Sequence, residues 1–140
     1  MYGGLNEDSI NFVRSLGQID EINVINSYQD AIDLDFSNLS IDKIIVNNAG
    51  NDCLDLSSGN YLIKKSLLSN CKDKAISLGE KGILNLDQGE IYNSFSALVV
   101  KDSSKMIAKN VQTDGVKNCY LVYRKKQEFG NSSLNLENFV

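Results

Sequence analysis

The chain contains no histidine, no tryptophan and no proline. Without histidine there is no Ser-His-Asp or Cys-His nucleophile system and no histidine-ligated zinc. Without tryptophan the best side chain for stacking on a sugar is missing. No apolar run approaches the roughly 18–20 residues of a membrane-spanning helix, which argues against a membrane protein. The opening Met1-Tyr2-Gly3-Gly4-Leu5-Asn6-Glu7-Asp8 lacks a basic segment followed by an apolar one, so the chain as given reads as carrying no signal peptide. Positive charge is in deficit as well: the net charge of −4 disfavours nucleic acid, which needs a basic surface. What remains is 140 residues of ordinary globular composition, 42 % hydrophobic, enough for one domain with a real core.

The informative feature is a repeat. Ser9, Ala31, Cys53, Ala75, Ala97 and Cys119 recur every 22 residues and are all small. The next residues, Ile10, Ile32, Leu54, Ile76, Leu98 and Tyr120, are large and apolar. Phe12, Leu34, Leu56, Leu78, Val100 and Val122 follow two positions later. A spacing of two is strand periodicity, with alternate side chains on one face. Ile19, Ile41, Ile63 and Ile107 suggest a second strand, with Leu84 and Leu86 straddling the position of Asn85. Ile22/Val24 and Ile44/Val46 begin a third, continued less regularly by Leu67/Leu68, Ile91 and Val111. Gly, Asn, Asp and Ser fill the intervals as turn residues. Three short strands in 22 residues describe one coil of a parallel β-helix, each strand pairing with its counterpart about 4.8 Å along the axis. The pattern therefore predicts an all-β, right-handed parallel β-helix (a solenoid) of about six coils over residues 1–124, with a tail at 125–140 acting as a cap or irregular coil. The lack of proline fits, because every coil must donate backbone N–H groups to its neighbour.

Two further sets read as structural. Asn26, Asn48 and Asn70, with Asn93 one place displaced, suit an amide ladder at a turn. Cys53 and Cys119 lie three coils apart, about 14 Å by strand spacing and beyond disulfide reach. Cys71 shares a column with Ser27, Ala49 and Gly115. All three cysteines are expected to pack as small residues.

Chemistry is expected on the outer face of the first strand. Alternation sends Ile32 and Leu34 inward and Asp33 and Asp35 outward, with Asp55 stacked over Asp33. Asp8, Asp30, Asp52, Lys74, Ser96 and Asn118 precede the small column. Stacked carboxylates repel unless solvated, protonated or neutralised, and Lys74 supplies part of that neutralisation. A solvated acidic face that blunts strand edges explains the pattern without any ligand. Acid–base chemistry and calcium binding are the functional alternatives; no cofactor is expected, calcium being the one exception the carboxylates leave open. Outward Val99, Leu121 and Tyr123 form an apolar strip, expected to lie under the tail rather than to serve as a sugar ledge.

The runs Asp30-Ala31-Ile32-Asp33-Leu34-Asp35, Gly50-Asn51-Asp52-Cys53-Leu54-Asp55-Leu56-Ser57-Ser58-Gly59 and Asp73-Lys74-Ala75-Ile76-Ser77-Leu78-Gly79 resemble the pectate-lyase-like superfamily of right-handed parallel β-helices. Their cadence is similar to the polygalacturonases, with Asn-Thr-Asp-Gly, Gly-Asp-Asp-Cys and Gly-His-Gly motifs, and to β-helix regions of bacterial surface proteins. Under that resemblance Asp30 and Asp52 match the carboxylates that activate water. The general acid falls on Asn51, the histidine on Lys74, and Arg124-Lys125-Lys126 does not reproduce the Arg-Ile-Lys clamp. An inverting hydrolase needs a competent acid opposite its base.

The expected function is therefore a non-catalytic structural or carbohydrate-binding segment of a bacterial surface or extracellular protein. The alternative is a glycoside hydrolase or lyase acting on acidic polysaccharide. In that case Asp30, Asp52 and Lys74 would be catalytic, and Asp33, Asp55, Tyr123 and Arg124 would contact substrate. The expected partner is a polysaccharide or cell-surface glycan. The open ends of such a stack call for end-to-end self-association or for the remainder of a longer chain.

Overall fold

The computed structural model describes residues 7–140. In chain order its strands are β1 (Asp8–Val13), β2 (Leu16–Ser27), β3 (Asp30–Asp35), β4 (Asn38–Ala49), β5 (Leu54–Ser57), β6 (Asn60–Cys71), β7 (Lys74–Gly79), β8 (Ile83–Tyr92), β9 (Ser96–Lys101), β10 (Lys105–Asp114), β11 (Asn118–Tyr123) and β12 (Ser133–Phe139). The described residues contain no helix, so none is long and apolar enough to cross a membrane. Odd-numbered strands form one six-stranded sheet and even-numbered strands another, each in the order of the coils. The pairings are parallel, as in Asp33↔Asp55 and Ile41↔Ile63, 22 residues apart. The fold is thus a parallel β-solenoid of about five turns.

The coil is built from two strands rather than three. The second and third apolar pieces of each repeat belong to one twelve-residue strand in the early coils. That strand changes phase partway: Leu39 and Ile41 face the core, then Ile44 and Val46 do, a step of three instead of two. The ladder skips Asp20, Asp42 and Lys64 at this point, so the strand bends there and wraps a third side of the coil.

Ile107 is out of the column assigned to it. Ile63 pairs with Leu86, Leu86 with Ala108, and Ile107 points to solvent beside Asn85. Asn38 pairs with Asn60 at 22 residues, but Asn60 pairs with Ile83 at 23, so the turn after Gly79 holds one extra residue. A one-residue slip exchanges the two faces of a strand. A shorter link between β8 and β9 restores the period, which also accounts for the displacement of Asn93.

The chain makes its corners through the left-handed backbone region. Asn26, Asn48, Asn70 and Asn93 have φ of 59°, 70°, 57° and 50°. Arg14, Phe36, Ser58, Glu80 and Asp102 mark a second corner with φ of 51°, 49°, 46°, 53° and 57°. Asparagine tolerates this region better than most residues, which accounts for the first column more directly than the ladder does. One rung does form, from Asn48 Nδ2 to Asn26 Oδ1 at 2.9 Å, whereas Asn70 Nδ2 donates to Asn47 Oδ1 instead. At the next corners backbones nearly touch. A Cβ on Gly50 would lie 1.8 Å from the Tyr28 carbonyl oxygen, and one on Gly59 would meet the Ser37 carbonyl oxygen at 2.1 Å.

The cysteine expectation fails in one respect. Cys53 and Cys71, both fully buried, form a disulfide with Cα atoms 5.3 Å apart, and Cys119 is free and exposed. The relevant distance runs across the coil rather than along the axis. The two small columns face each other, so that Ser9 and Ser27, 18 residues apart like the cysteines, share a hydrogen bond of 2.8 Å between their hydroxyls.

Closing a loop of this size stabilises a fold by about 3 kcal/mol in the chain-entropy description. The Cys53→Ala/Cys71→Ala pair is therefore expected to lose about 2–4 kcal/mol in urea unfolding. Thiol titration of the denatured, unreduced protein should find Cys119 alone. Asn48→Gly keeps the corner geometry and loses the amide rung, while Asn48→Ala loses both. Urea unfolding should place Asn48→Ala about 1 kcal/mol below Asn48→Gly, and equal stabilities would mean that the backbone region does not select asparagine.

Candidate functional site

The acidic residues collect on the outer face of the first sheet at its early coils. Ile32 and Leu34 point into the core, leaving Asp33 and Asp35 outside, and Asp55 is in register with Asp33. Asp30 and Asp52 sit just ahead of the small column. One oxygen from each of Asp30, Asp52 and Asp55 lies within 4.8 Å of the others. Such a trio offers hard oxygen ligands to a cation such as calcium.

Asp30 and Asp52 already have structural work. Asp30 Oδ1 accepts the Asp52 backbone N–H at 2.9 Å and the Asn51 side-chain amide at 2.7 Å. Asp52 Oδ1 accepts the Lys74 backbone N–H at 3.0 Å, with Lys74 Nζ 3.5 Å away. Each carboxylate thus holds the N–H of the residue one coil later in its own column. Asp52 is only 3 % exposed.

Burial raises Asp52 to about 6, against the opposing pull of the Lys74 ammonium. Asp33 is pushed up to about 7, first by burial and then by Asp35 and Asp55. Asp55 is raised by burial, and Lys101 opposes the rise. Lys101 reaches it by lying flat over Gly79, where an added Cβ would come within 3.1 Å of the lysine Cε. For Lys74 burial works against the charge, but the Asp73 hydrogen bond and Asp52 outweigh it, and its pKa is raised. Lys74 stays an ammonium at neutral pH and is a poor base for proton abstraction.

Tyr123 pairs with Lys101 at the end of the same sheet, while Arg124 is exposed just beyond β11. Val99 is fully buried, but Leu121 and Tyr123 are exposed, so the last coil's part of that strip is left uncovered. Instead the segment after β11 turns around Asp102, whose Oδ1 accepts the backbone N–H of Lys125 at 2.7 Å and of Lys126 at 2.8 Å. Beyond it β12 joins the second sheet against β10.

A cleft of about 210 Å³ opens between this segment and the acidic face, lined by Asp55, Ser57, Glu80, Lys101, Asp102 and Lys126 among others. Lys126 and Glu80 form an ion pair across it. Lys101, Glu80 and Asp102 were not singled out by the repeat, because Lys101 is alone in its chemistry within its column and the acidic pair Glu80 and Asp102 sits in a column otherwise held by Arg14, Phe36, Ser58 and Arg124. The 22-residue spacing from Ser58 through Glu80 to Asp102 was the available signal.

Chemically, the tight grouping of Asp30 and Asp52 is unlike the roughly 6.5–9.5 Å separation that admits a water between the carboxyls of an inverting hydrolase. Comparison with protein families, with curated proteins and with solved structures found no match to this chain.

The raised carboxylates couple folding to pH. A carboxyl whose pKa is higher folded than unfolded binds its proton more tightly when folded. Its stabilising contribution is complete below about pH 3.8 and is lost as pH rises through about 6 for Asp52 and about 7 for Asp33. These groups should therefore lower stability by about 1–3 kcal/mol between pH 4 and 8, after allowance for solvent screening. Asp33→Asn should raise the melting temperature at pH 8 by several degrees and change it little at pH 4. An equal effect at both pH values would show that Asp33 is not protonated in the folded state at pH 4.

Proposed function

We propose that the chain is a non-catalytic structural segment of an extracellular or bacterial-surface protein, with a glycan-binding face. The observation that carries this reading is the use of Asp30 and Asp52 to hold backbone N–H groups of the following coil. A general acid or base must exchange protons with substrate, and these carboxylates are spent on the ladder. The Cys53–Cys71 disulfide supports an oxidising compartment. Glycan contacts would fall to Asp33, Asp55, Tyr123 and Arg124, with calcium as the bridging cation at the carboxylates.

A second reading, a polysaccharide-degrading enzyme, is favoured by one observation: carboxyls titrating near neutrality, as Asp33 and Asp52 do, are a property of acid–base sites. Incubation with uronic-acid and neutral polysaccharides, with and without calcium, followed by mass spectrometry of products, separates the two. The expected result is no product, with saturable binding that Asp33→Asn weakens severalfold. Products that vanish in Asp33→Asn or Asp52→Asn would replace the structural reading with the enzymatic one.

A further inference from the structure

We propose that the cleft between the acidic face and the segment after β11 is a subsite for one neutral sugar residue, held through its hydroxyls by Asp102, Asp55 and Lys101. This rests on the glycan-facing reading and deepens it, giving that face a pocket and a class of ligand.

Asp102 supplies the observation that points to a ligand. It lines the cleft and is fully buried. Its Oδ1 is doubly engaged by the backbone N–H groups of Lys125 and Lys126, at 2.7 and 2.8 Å, whereas its Oδ2 accepts no hydrogen bond. A buried carboxylate oxygen without a donor costs free energy, and a ligand that brings the donor recovers it. The two backbone bonds also fix the carboxylate in place, so little ordering remains to be done when a ligand arrives.

The walls select the chemistry of that ligand. Asp55, Glu80 and Asp102 bring three carboxylates to the cleft, and Lys101, Lys125 and Lys126 bring three ammonium groups. Lys126 is paired with Glu80, and the charge of Lys101 acts on Asp55. A cation entering the space meets the lysines, and an anion meets the carboxylates, so neither sign is favoured. A hydroxyl both donates and accepts. A ring bearing several of them can donate to Asp102 Oδ2 and to Asp55 while accepting from the Lys101 ammonium. The volume of about 210 Å³ lies below the roughly 300–1,000 Å³ of sites for drug-sized ligands, which limits the occupant to about one ring. Asp55 is also in register with Asp33, so a longer glycan seated in the cleft would continue onto the acidic face.

Ligand-observed NMR titration of the 140-residue chain with the methyl glycosides of glucose, galactose and mannose tests this, with the matching uronates and amino sugars as charged counterparts. At least one neutral glycoside should bind saturably, and severalfold more tightly than its charged counterparts. Asp102→Asn keeps the Oδ1 acceptor for the two backbone N–H groups and places an amide donor where Oδ2 stands. It should weaken the neutral glycoside about tenfold while a cooperative melt verifies folding. Lys101→Met keeps the stem that lies over Gly79, loses the ammonium, and should weaken binding severalfold. Lys109→Gln, on the second sheet, should leave it unchanged. Charged sugars bound more tightly than neutral ones, no monosaccharide binding up to the solubility of the sugar, or neutral binding equal in wild type, Asp102→Asn and Lys101→Met would each overturn the proposal. If polysaccharides nevertheless bind, and lose affinity in Asp33→Asn but in neither cleft variant, the ligand lies on the open face and the wider glycan-facing reading stands. No binding of any saccharide, monomer or polymer, would remove both.

Discussion

A chain that climbs one strand spacing per coil has to reverse direction within each coil through backbone that L-residues avoid. Arg14, Phe36, Ser58, Glu80 and Asp102 all adopt positive φ at one corner, and Asn26, Asn48, Asn70 and Asn93 at another. Because the corners recur at the same place in every coil, each strand arrives directly over its predecessor, and the inward columns of Ile32, Leu54, Ile76 and Leu98 fall into line. The core, the ladders and the stacked carboxylates all inherit that alignment. The local cost of a positive φ, roughly 1–2 kcal/mol outside glycine, is offset by the ladder and core contacts that the corner makes possible.

The first sheet was legible because its columns run through the chain without a gap, from Ile10 to Tyr120. Both the small column and the alternation behind it were visible. The second sheet was less so, for two physical reasons. A phase change inside one long strand resembles a break between two, and the extra residue after Gly79 moves Ile107 onto the wrong face. The corner at Phe36 and Ser58 left no common chemistry to find, since geometry rather than side-chain type unites it. The disulfide was present in the pattern as two small columns 18 residues apart. It was missed because separation was reckoned along the stack, where cysteines are distant, and not across it. The outward direction of Asp33, Asp35 and Asp55 could be read from alternation alone. The engagement of Asp30 and Asp52 with the next coil could not, because their side-chain direction is set where the chain bends.

The acidic face combines two behaviours in one sheet. Asp30 and Asp52 act as extra acceptors for the ladder, so their charge serves the backbone. Asp33 and Asp55 have no such use and lie stacked; burial raises both, with Asp35 and Asp55 adding to the rise at Asp33 and Asp30 adding to it at Asp55. Lysines enter from later coils, Lys74 at Asp52 and Lys101 at Asp55, so the sign of the face changes along the axis.

The disulfide gives this otherwise repetitive object a mechanical centre. Each coil contacts mainly its immediate neighbours, so a stack of this kind loosens by peeling from its ends. Peeling from either side meets the third coil, where Cys53 and Cys71 are riveted together. Under tension the chain from Cys53 to Cys71, a sequence separation of 18, is withheld from extension, about 60 Å of contour for a fully extended chain. The rivet therefore divides the molecule into two arms that can fray separately, with one closed hoop between them from which both can be rewound.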